Sequence, residues 1–392
     1  MKNNKYSLIA VMSIFFIAMG IGTITPAIAN IAAAFPDVPF TTILLASTLP
    51  SLLIIPSTLI TGMIAGSKVK FKTLALLGLA LFTISGVAPA LFNSSFTLVL
   101  VFRAIFGISL GIISPLGNAI LMGMFEGQAR ANMLGIGSLM MNIGGIVLQF
   151  LGGALSGISW QLCFWGHAPA ILSFILVMLF LKEPEAPQVE GGGEVSSAKK
   201  EKVPMSVWVI SAFFGVTMML AYPMLVNMSS IMSEVKGVGN ATQAALCLSM
   251  YTVGGAISGA LFGKAYQILK RFILPVAFIG GAVGIAIIIY ANSAVMMIVG
   301  TTITGLFYML AMPAVMMLLG MYAPPSTMAM SISIMMAVMN VFAFLSTYWI
   351  GFIGSLTGDV YIMPVKFAMF GFLIAAGLLL VINPFPKVET AQ

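Results

Sequence analysis

Runs of twenty or more predominantly apolar residues follow one another along almost the whole chain. That pattern leaves few folds open. A helix crossing the hydrocarbon core of a bilayer needs about 20 such residues, and twelve runs meet the requirement: 6–34, 41–66, 73–92, 96–122, 131–157, 161–181, 206–232, 241–263, 272–291, 295–320, 327–353 and 364–383. Composition agrees. With 60% hydrophobic and 7% charged residues among 392, and a mean hydropathy of +1.12, the chain lacks the polar surface to cover a water-soluble globule. The expected fold class is an all-α polytopic membrane protein with twelve transmembrane helices, called spans one to twelve below.

The chain also repeats itself. Pro26, Asn30, Gly62 and Gly66 recur 197 residues later as Pro223, Asn227, Gly259 and Gly263, and Asp37-Val38 falls opposite Glu234-Val235. Gly123-Met124-Phe125 meets Gly320-Met321-Tyr322 at the same offset; Gly107, Pro115, Met141-Asn142 and Gly153 meet Gly305, Pro313, Met339-Asn340 and Gly351 after one inserted residue. Pro, Asn and Gly are not supplied freely by an apolar composition, so the register indicates one unit written twice. The halves are expected as six-helix bundles at 1–182 and 206–392, related by pseudo-symmetry. The polar segment 183–205, rich in Glu, Lys, Gly and Ser, reads as a cytoplasmic linker.

Basic residues set the orientation, because Lys and Arg are retained on the cytoplasmic side during insertion. With both termini inside, Lys2, Lys5, Lys68, Lys70, Lys72, Arg130, Lys182, Lys199, Lys200, Lys202, Lys264, Lys270, Arg271 and Lys387 are cytoplasmic, and only Lys236 and Lys366 lie outside. The formal charge of +7 is thus a topology signal, and no nucleic-acid partner is expected. The first run is long and interrupted by Pro26, unlike a cleavable signal, so span one is expected to remain. Cys163 and Cys247 read as packing residues and His167 as a structural helix-face histidine. No cluster of His, Cys and carboxylates suggests a metal or a cofactor, and neither is expected.

Polar residues facing lipid are costly, so their distribution separates lipid-facing spans from path-lining ones. Spans nine and twelve carry none between Ile273 and Ile289 and between Phe367 and Ile382, and span three has only Thr83 and Ser85; these are expected to face lipid. Elsewhere polar and small residues form stripes at helical spacing: Arg103, Gly107, Gly111, Ser114 and Asn118 in span four, and Ser138, Asn142, Gly145, Gln149 and Gly152 in span five. Thr301, Thr304 and Tyr308 in span ten and Ser333, Met336, Asn340 and Thr347 in span eleven do the same. Such stripes serve either interhelical packing or a substrate path. Asn30, Asn142, Asn227 and Asn340 sit at repeat-related positions near mid-span, where repeated transporters bind substrate. With Thr25, Asn118, Gln149, Tyr222, Tyr308 and Met336 they form the candidate cavity set. Gly62, Gly66, Gly107, Gly111, Gly135, Gly144, Gly152 and Gly153 form the candidate gating and packing set.

Arg103 is the one charge set well inside a span, about 10 Å below the outer end of span four at 1.5 Å per residue. It either snorkels outward or finds carbonyls, amides, water, a carboxylate such as Asp37, or an anionic substrate. No Asp or Glu lies in any span, so no buried carboxylate is available to carry a proton. The chain holds 31 methionines, with Met328, Met330, Met335, Met336 and Met339 crowding span eleven, either as packing or as an adaptable apolar lining.

These residues resemble the major facilitator superfamily, specifically its twelve-helix drug-efflux branch, over essentially the whole chain. Arg103-x-x-x-Gly107-x-x-x-Gly111 is similar to the family's span-four motif, whose arginine is implicated in proton coupling; Phe106 stands where Gln is common. Gly135, Gly144, Gly152 and Gly153 hold four positions of the antiporter motif, while Leu148 and Gln149 replace its central Gly-Pro. Trp160-Gln161-Leu162-Cys163-Phe164 is similar to the tryptophan signature opening span six. Gly62-Met63-Ile64-Ala65-Gly66 with Lys68, Lys70 and Lys72 resembles the basic loop after span two, with Gly66 where Asp is usual; Lys264, Lys270 and Arg271 are its counterpart. The resemblance implies two bundles exposing a cavity alternately to either side, in a cell (plasma or inner) membrane. The implied function is secondary export of small amphipathic or apolar organic compounds by a monomer in the bilayer, with protons as the candidate coupling ion. A facilitator or exchanger of organic anions using Arg103 as counter-charge is the alternative. A membrane enzyme or receptor is disfavoured, for want of convergent catalytic groups or an extramembrane domain.

Overall fold

A computed structural model describes residues 5–66, 68–125, 127–183, 203–324, 327–382 and 384. Both chain ends, most of the expected linker and with them Lys2, Lys199, Lys200, Lys202 and Lys387 lie outside the described residues. The fold is α-helical, and no strand occurs among the described residues beyond an isolated bridge between Ala65 and Val69. Among the described residues, eleven segments are long and apolar enough to cross a membrane. One of them, Ala241–Tyr290, is 50 residues long and is broken by a 3-10 turn at Lys270–Phe272. At 1.5 Å per residue it would measure about 75 Å, more than twice the hydrocarbon thickness. Divided at the turn it supplies spans eight and nine.

The chain forms two compact units. One runs to Lys200 and includes Gly239–Ser249; the other takes Glu201–Val238 and everything from Met250. The start of span eight therefore packs with the first half: Gly153 of span five meets Ala245 and the Ala241 carbonyl, and Thr242 Oγ1 approaches the Gly153 carbonyl at 3.4 Å.

Local sequence explains the element ends. Span one is helical over Lys5–Ala18 and Ile28–Ala34, with 3-10 turns at Gly20–Gly22 and Thr25–Ala27 between. Two glycines and Pro26 account for the interruption. Span four (Phe96–Met124) starts at Ser95, whose hydroxyl accepts from Leu98 N, and the first helix of span ten (Ala294–Tyr308) starts at Ser293, which accepts from Met296 N. These caps obey the same repeat, and each contributes about 1 kcal/mol. The first residue of the expected linker is firmly held. Glu183 accepts from Phe71 N at 2.6 Å and Lys72 N at 3.0 Å, capping span three (Phe71–Leu91). In the second half Lys236 Nζ donates to the carbonyls of Ile289 and Ala291, both at 2.8 Å, closing the C-terminal end of span nine (Ile273–Tyr290). Partial burial holds the Lys236 ammonium below the usual lysine range, and the two carbonyls are what it gains in return.

Close approach through glycine sets the helix spacing. A Cβ on Gly144 would overlap the Phe16 carbonyl, and one on Gly152 the Thr23 carbonyl, so span five (Gly127–Ser156) lies backbone to backbone on span one. Gly62 and Gly135 have open space around them. Gly66 has a positive φ of 71° and closes a turn in which its N–H reaches the Val69 carbonyl at 2.8 Å, with the Phe71 ring 2.6 Å from where a Cβ would stand. Glycine replaces the family's usual Asp there with a backbone reason.

Span nine departs from its expected lipid-facing role. Most of its residues are buried, leaving Ile279, Val283 and Tyr290 as a narrow exposed stripe. Gly280 and Gly284 admit Phe307 and Thr304 of span ten, and Phe278 packs edge-on against Phe372 of span twelve (Ile362–Ile382). Absence of polar residues marked it as apolar, but its glycines decide that neighbouring helices, rather than lipid, cover it.

Two stability tests follow. Gly144→Val should lower the thermal unfolding midpoint of the detergent-purified protein by the equivalent of about 1–3 kcal/mol, the usual cost of overpacking, whereas Gly135→Ala should leave it unchanged. Lys236→Met should cost about 1–2 kcal/mol by stranding two carbonyls; an unchanged midpoint would show that water caps that helix end equally well.

Candidate functional site

A proline creates the acceptor that Arg103 occupies. Pro50 lies inside span two (Phe40–Ile64) and has no N–H, so the carbonyl four residues earlier, that of Ala46, loses its intrahelical partner. Arg103 Nε donates to that carbonyl at 2.6 Å. Spans two and four run in register there: Gly107 sits on the Pro50 backbone, 2.5 Å from its carbonyl to a would-be Cβ, and Gly111 packs on the Ile54 carbonyl and Ser57. Arg103, Gly107 and Gly111 thus face residues 46, 50 and 54. The glycines bring the helices close enough for the guanidinium to reach the freed oxygen.

The other contacts of Arg103 come from span one and from its own helix. Nη2 lies 3.5 Å from the Ile21 carbonyl, at the Gly20–Gly22 interruption, and Cζ stands 4.3 Å from the Phe106 ring centroid. Phe106 therefore takes up, as a cation–π contact, the place the family gives to an amide. The side chain is 0% exposed, Nη1 has no hydrogen-bond partner, and no carboxylate among the described residues pairs with it. It neither snorkels nor reaches Asp37. Burying a charge on carbonyls and a ring alone is expensive, which makes a purely stabilising role a poor explanation for it.

His167, read from sequence as structural, belongs to the same cluster. It ends the 3-10 segment Gln161–His167 that leads into span six (Ala170–Phe180) and is 0% exposed. Its ring packs edge-on against Phe106 at 4.8 Å and Phe82 at 5.6 Å, with Gly86 giving it room. Nδ1 lies 2.9 Å from the Phe164 carbonyl and Nε2 has no partner. Cys163 is buried in the same segment. His167 is the single histidine of a chain whose expected spans hold no carboxylate.

The other candidates separate into packed and open positions. Asn30 Nδ2 bonds the Ser156 carbonyl at 2.7 Å, and the fully buried Asn227 bonds Val360 at 2.9 Å and Tyr361 at 3.3 Å. These repeat-related amides make similar ties, from span one to the last residue of span five and from span seven to the chain just after span eleven. Asn142 and Asn340 instead bond carbonyls four residues back in their own helices, Ser138 and Met336, on half-exposed faces. Spans five and eleven (Met328–Thr357) are the least buried of all the spans, yet carry these polar groups. Asn118 and Met336 are exposed, whereas Met335 is buried. Thr25 is buried, and Tyr308 stacks on Phe372 at 4.9 Å with its hydroxyl 3.7 Å from Met218 Sδ, inside the second half. Tyr222 is partly exposed. Gln149, in place of the motif's proline, lies against Gly22 at the span-one interruption with its Oε1 buried and unpartnered.

Comparison with known proteins agrees with this architecture. A sequence model of the Major Facilitator Superfamily matches residues 10–264. The quinolone resistance protein NorA of Staphylococcus aureus (strain MRSA252) is 23% identical over 264 residues, 66% of this chain and 65% of that protein, so the match spans about two thirds of the relative's length. Among solved structures, a bacterial homolog of the human lysosomal transporter Spinster, inward-facing and occupied, superposes with a TM-score of 0.75 at 18% identity, covering 97% of each chain. A D-xylose–proton symporter gives 0.76 at 13% identity over 98% of each. The fold and the family match are those of a multi-pass membrane transporter. The chain belongs to the major facilitator superfamily.

The environment of Arg103 makes a counterintuitive stability prediction. Arg103→Met removes a buried cation that has no carboxylate partner among the described residues but also strands the Ala46 carbonyl, so the two effects offset and the unfolding midpoint should move by the equivalent of less than about 1 kcal/mol; a marked fall would show the Ala46 bond to be a main tie between spans two and four.

Proposed function

We propose that the protein is a secondary active exporter of small amphipathic organic compounds, working by alternating access and driven by proton antiport. In this reading twelve spans cross the cell membrane with both termini cytoplasmic, the protein acts as a monomer, and no catalytic step or cofactor is involved. The observation that carries it is Arg103, a cation kept buried inside the first bundle with no counter-ion among the described residues. The likeness to a quinolone resistance protein supports export of amphipathic aromatic compounds. The half-exposed polar groups Ser138 and Asn142 of span five, and Asn340 with exposed Met336 of span eleven, are the proposed substrate contacts. Methionine suits such a surface because its flexible thioether adapts to several apolar shapes. The anion-exchange alternative is less well supported, because a guanidinium sealed among Ala46, Ile21 and Phe106 offers no route to a substrate carboxylate in this conformation.

Proteoliposomes loaded with a fluorescent quinolone test the proposal. An imposed pH gradient should drive extrusion, and Arg103→Ala should abolish that drive while the protein remains folded. Transport that ignores the gradient but is stimulated by an organic anion on the opposite side would replace antiport with exchange.

A further inference from the structure

We propose that His167 is the proton-binding group of this transporter and that its occupancy acts on the interrupted segment of span one. The inference deepens the antiport reading and rests on it.

The hydrogen bond to Phe164 decides which nitrogen can bind a proton. A carbonyl only accepts, so Nδ1 must carry the hydrogen of the neutral ring. Nε2 is then the bare lone pair; it is buried and makes no hydrogen bond of proper geometry, with the Gly20 backbone as its polar neighbour. The interior of the first bundle thus holds a pre-oriented base. Among the described residues of the spans no Asp or Glu competes for that role.

Its surroundings give the proton something to act upon. From span four come Arg103 and Phe106, from span three Phe82 and Gly86, from span one Gly20, and from its own segment Cys163 and Phe164. Arg103 and Cys163 are the titratable members of that shell, and Arg103 is the charged one. The Phe106 ring touches both the guanidinium and the imidazole. A proton on Nε2 sets a second cation beside Arg103 in a buried site where no carboxylate among the described residues offsets it, and this arrangement becomes unfavourable. It also turns Nε2 from a bare base into a donor on the side of the Gly20 carbonyl. The next carbonyl, Ile21, is the one Arg103 holds by its longer contact of 3.5 Å, against 2.6 Å to Ala46. Proton loading therefore loosens Arg103 from Ile21 while offering Gly20 a new partner. Both effects fall on Gly20–Gly22, where two glycines interrupt the helix and Gln149 lies against it. The proton is neither consumed nor transferred within the protein; it arrives at Nε2 from one side of the membrane and leaves to the other.

The single histidine makes the test direct. In proteoliposomes, His167→Gln should lose about tenfold in gradient-driven quinolone extrusion, a ratio ordinary for coupled sites, while gradient-independent quinolone exchange continues. His167→Asn, which keeps an amide donor for Phe164, should behave likewise and guards against misfolding of the first variant. Extrusion that remains gradient-driven in either variant overturns the role of His167. A wild-type protein indifferent to the gradient overturns the antiport reading instead. A second arm needs no substrate: 15N-histidine labelling of the full chain in lipid nanodiscs gives one imidazole, expected as the Nδ1–H tautomer when neutral and as imidazolium once the medium is acidified. A reporter at Gly22 should change over the same range in wild type and not in His167→Gln. A ring that stays neutral throughout, or a reporter indifferent to it, overturns the proposal.

Discussion

The first half is organised around carbonyl oxygens that its helices cannot satisfy themselves. In lipid an unpaired backbone group costs several kcal/mol, so an interruption persists only where another group covers it. Pro50 frees the Ala46 carbonyl and Gly20–Gly22 interrupts span one; Arg103 spans both from span four. The rest follows from bringing that side chain into position. Gly107 and Gly111 let span four lie on span two, Gly144 and Gly152 let span five lie on span one, and Phe106 and Phe82 fill the space that remains beside His167.

The second half shows what happens when the device is absent. The repeat places Cys247 where Pro50 stands and Thr301 where Arg103 stands. Without a proline no carbonyl is freed, and Thr301 returns its hydroxyl to Met297 and Ile298 of its own helix. The glycine contact nevertheless survives: Gly305 packs on the Tyr251 carbonyl as Gly107 packs on Pro50. The duplication therefore preserved helix packing in both halves and kept the buried charge in one. An asymmetric buried charge is thus built into a symmetric scaffold, because packing needs only small residues while charge needs a prepared partner.

The repeat-related asparagines carry a second lesson about symmetry. Four amides at corresponding depths suggested one cavity, but Asn30 and Asn227 tie helix ends to Ser156 and to Val360, whereas Asn142 and Asn340 lie on half-exposed faces. Equivalent positions did acquire equivalent roles, pair by pair. The depth of a residue in a span could be counted from the sequence; the direction in which its amide points could not, since that depends on which neighbour offers a carbonyl.

Some properties needed nothing beyond the order of residues. Apolar runs of spanning length, the duplication at 197 residues and the serine, proline and glycine signals at helix ends fixed a helical membrane protein in two related halves, because these depend on local hydrophobicity and backbone chemistry alone. Tertiary structure decided the rest. It buried span nine under its neighbours, spent Asn30 on Ser156, brought Arg103 to an oxygen that a proline 53 residues earlier had released, and gathered His167 into the same cluster. Each outcome turns on which helices approach closely enough for a side chain to reach another backbone. That distance is set by interlocking surfaces from several spans at once and is not written in any one of them.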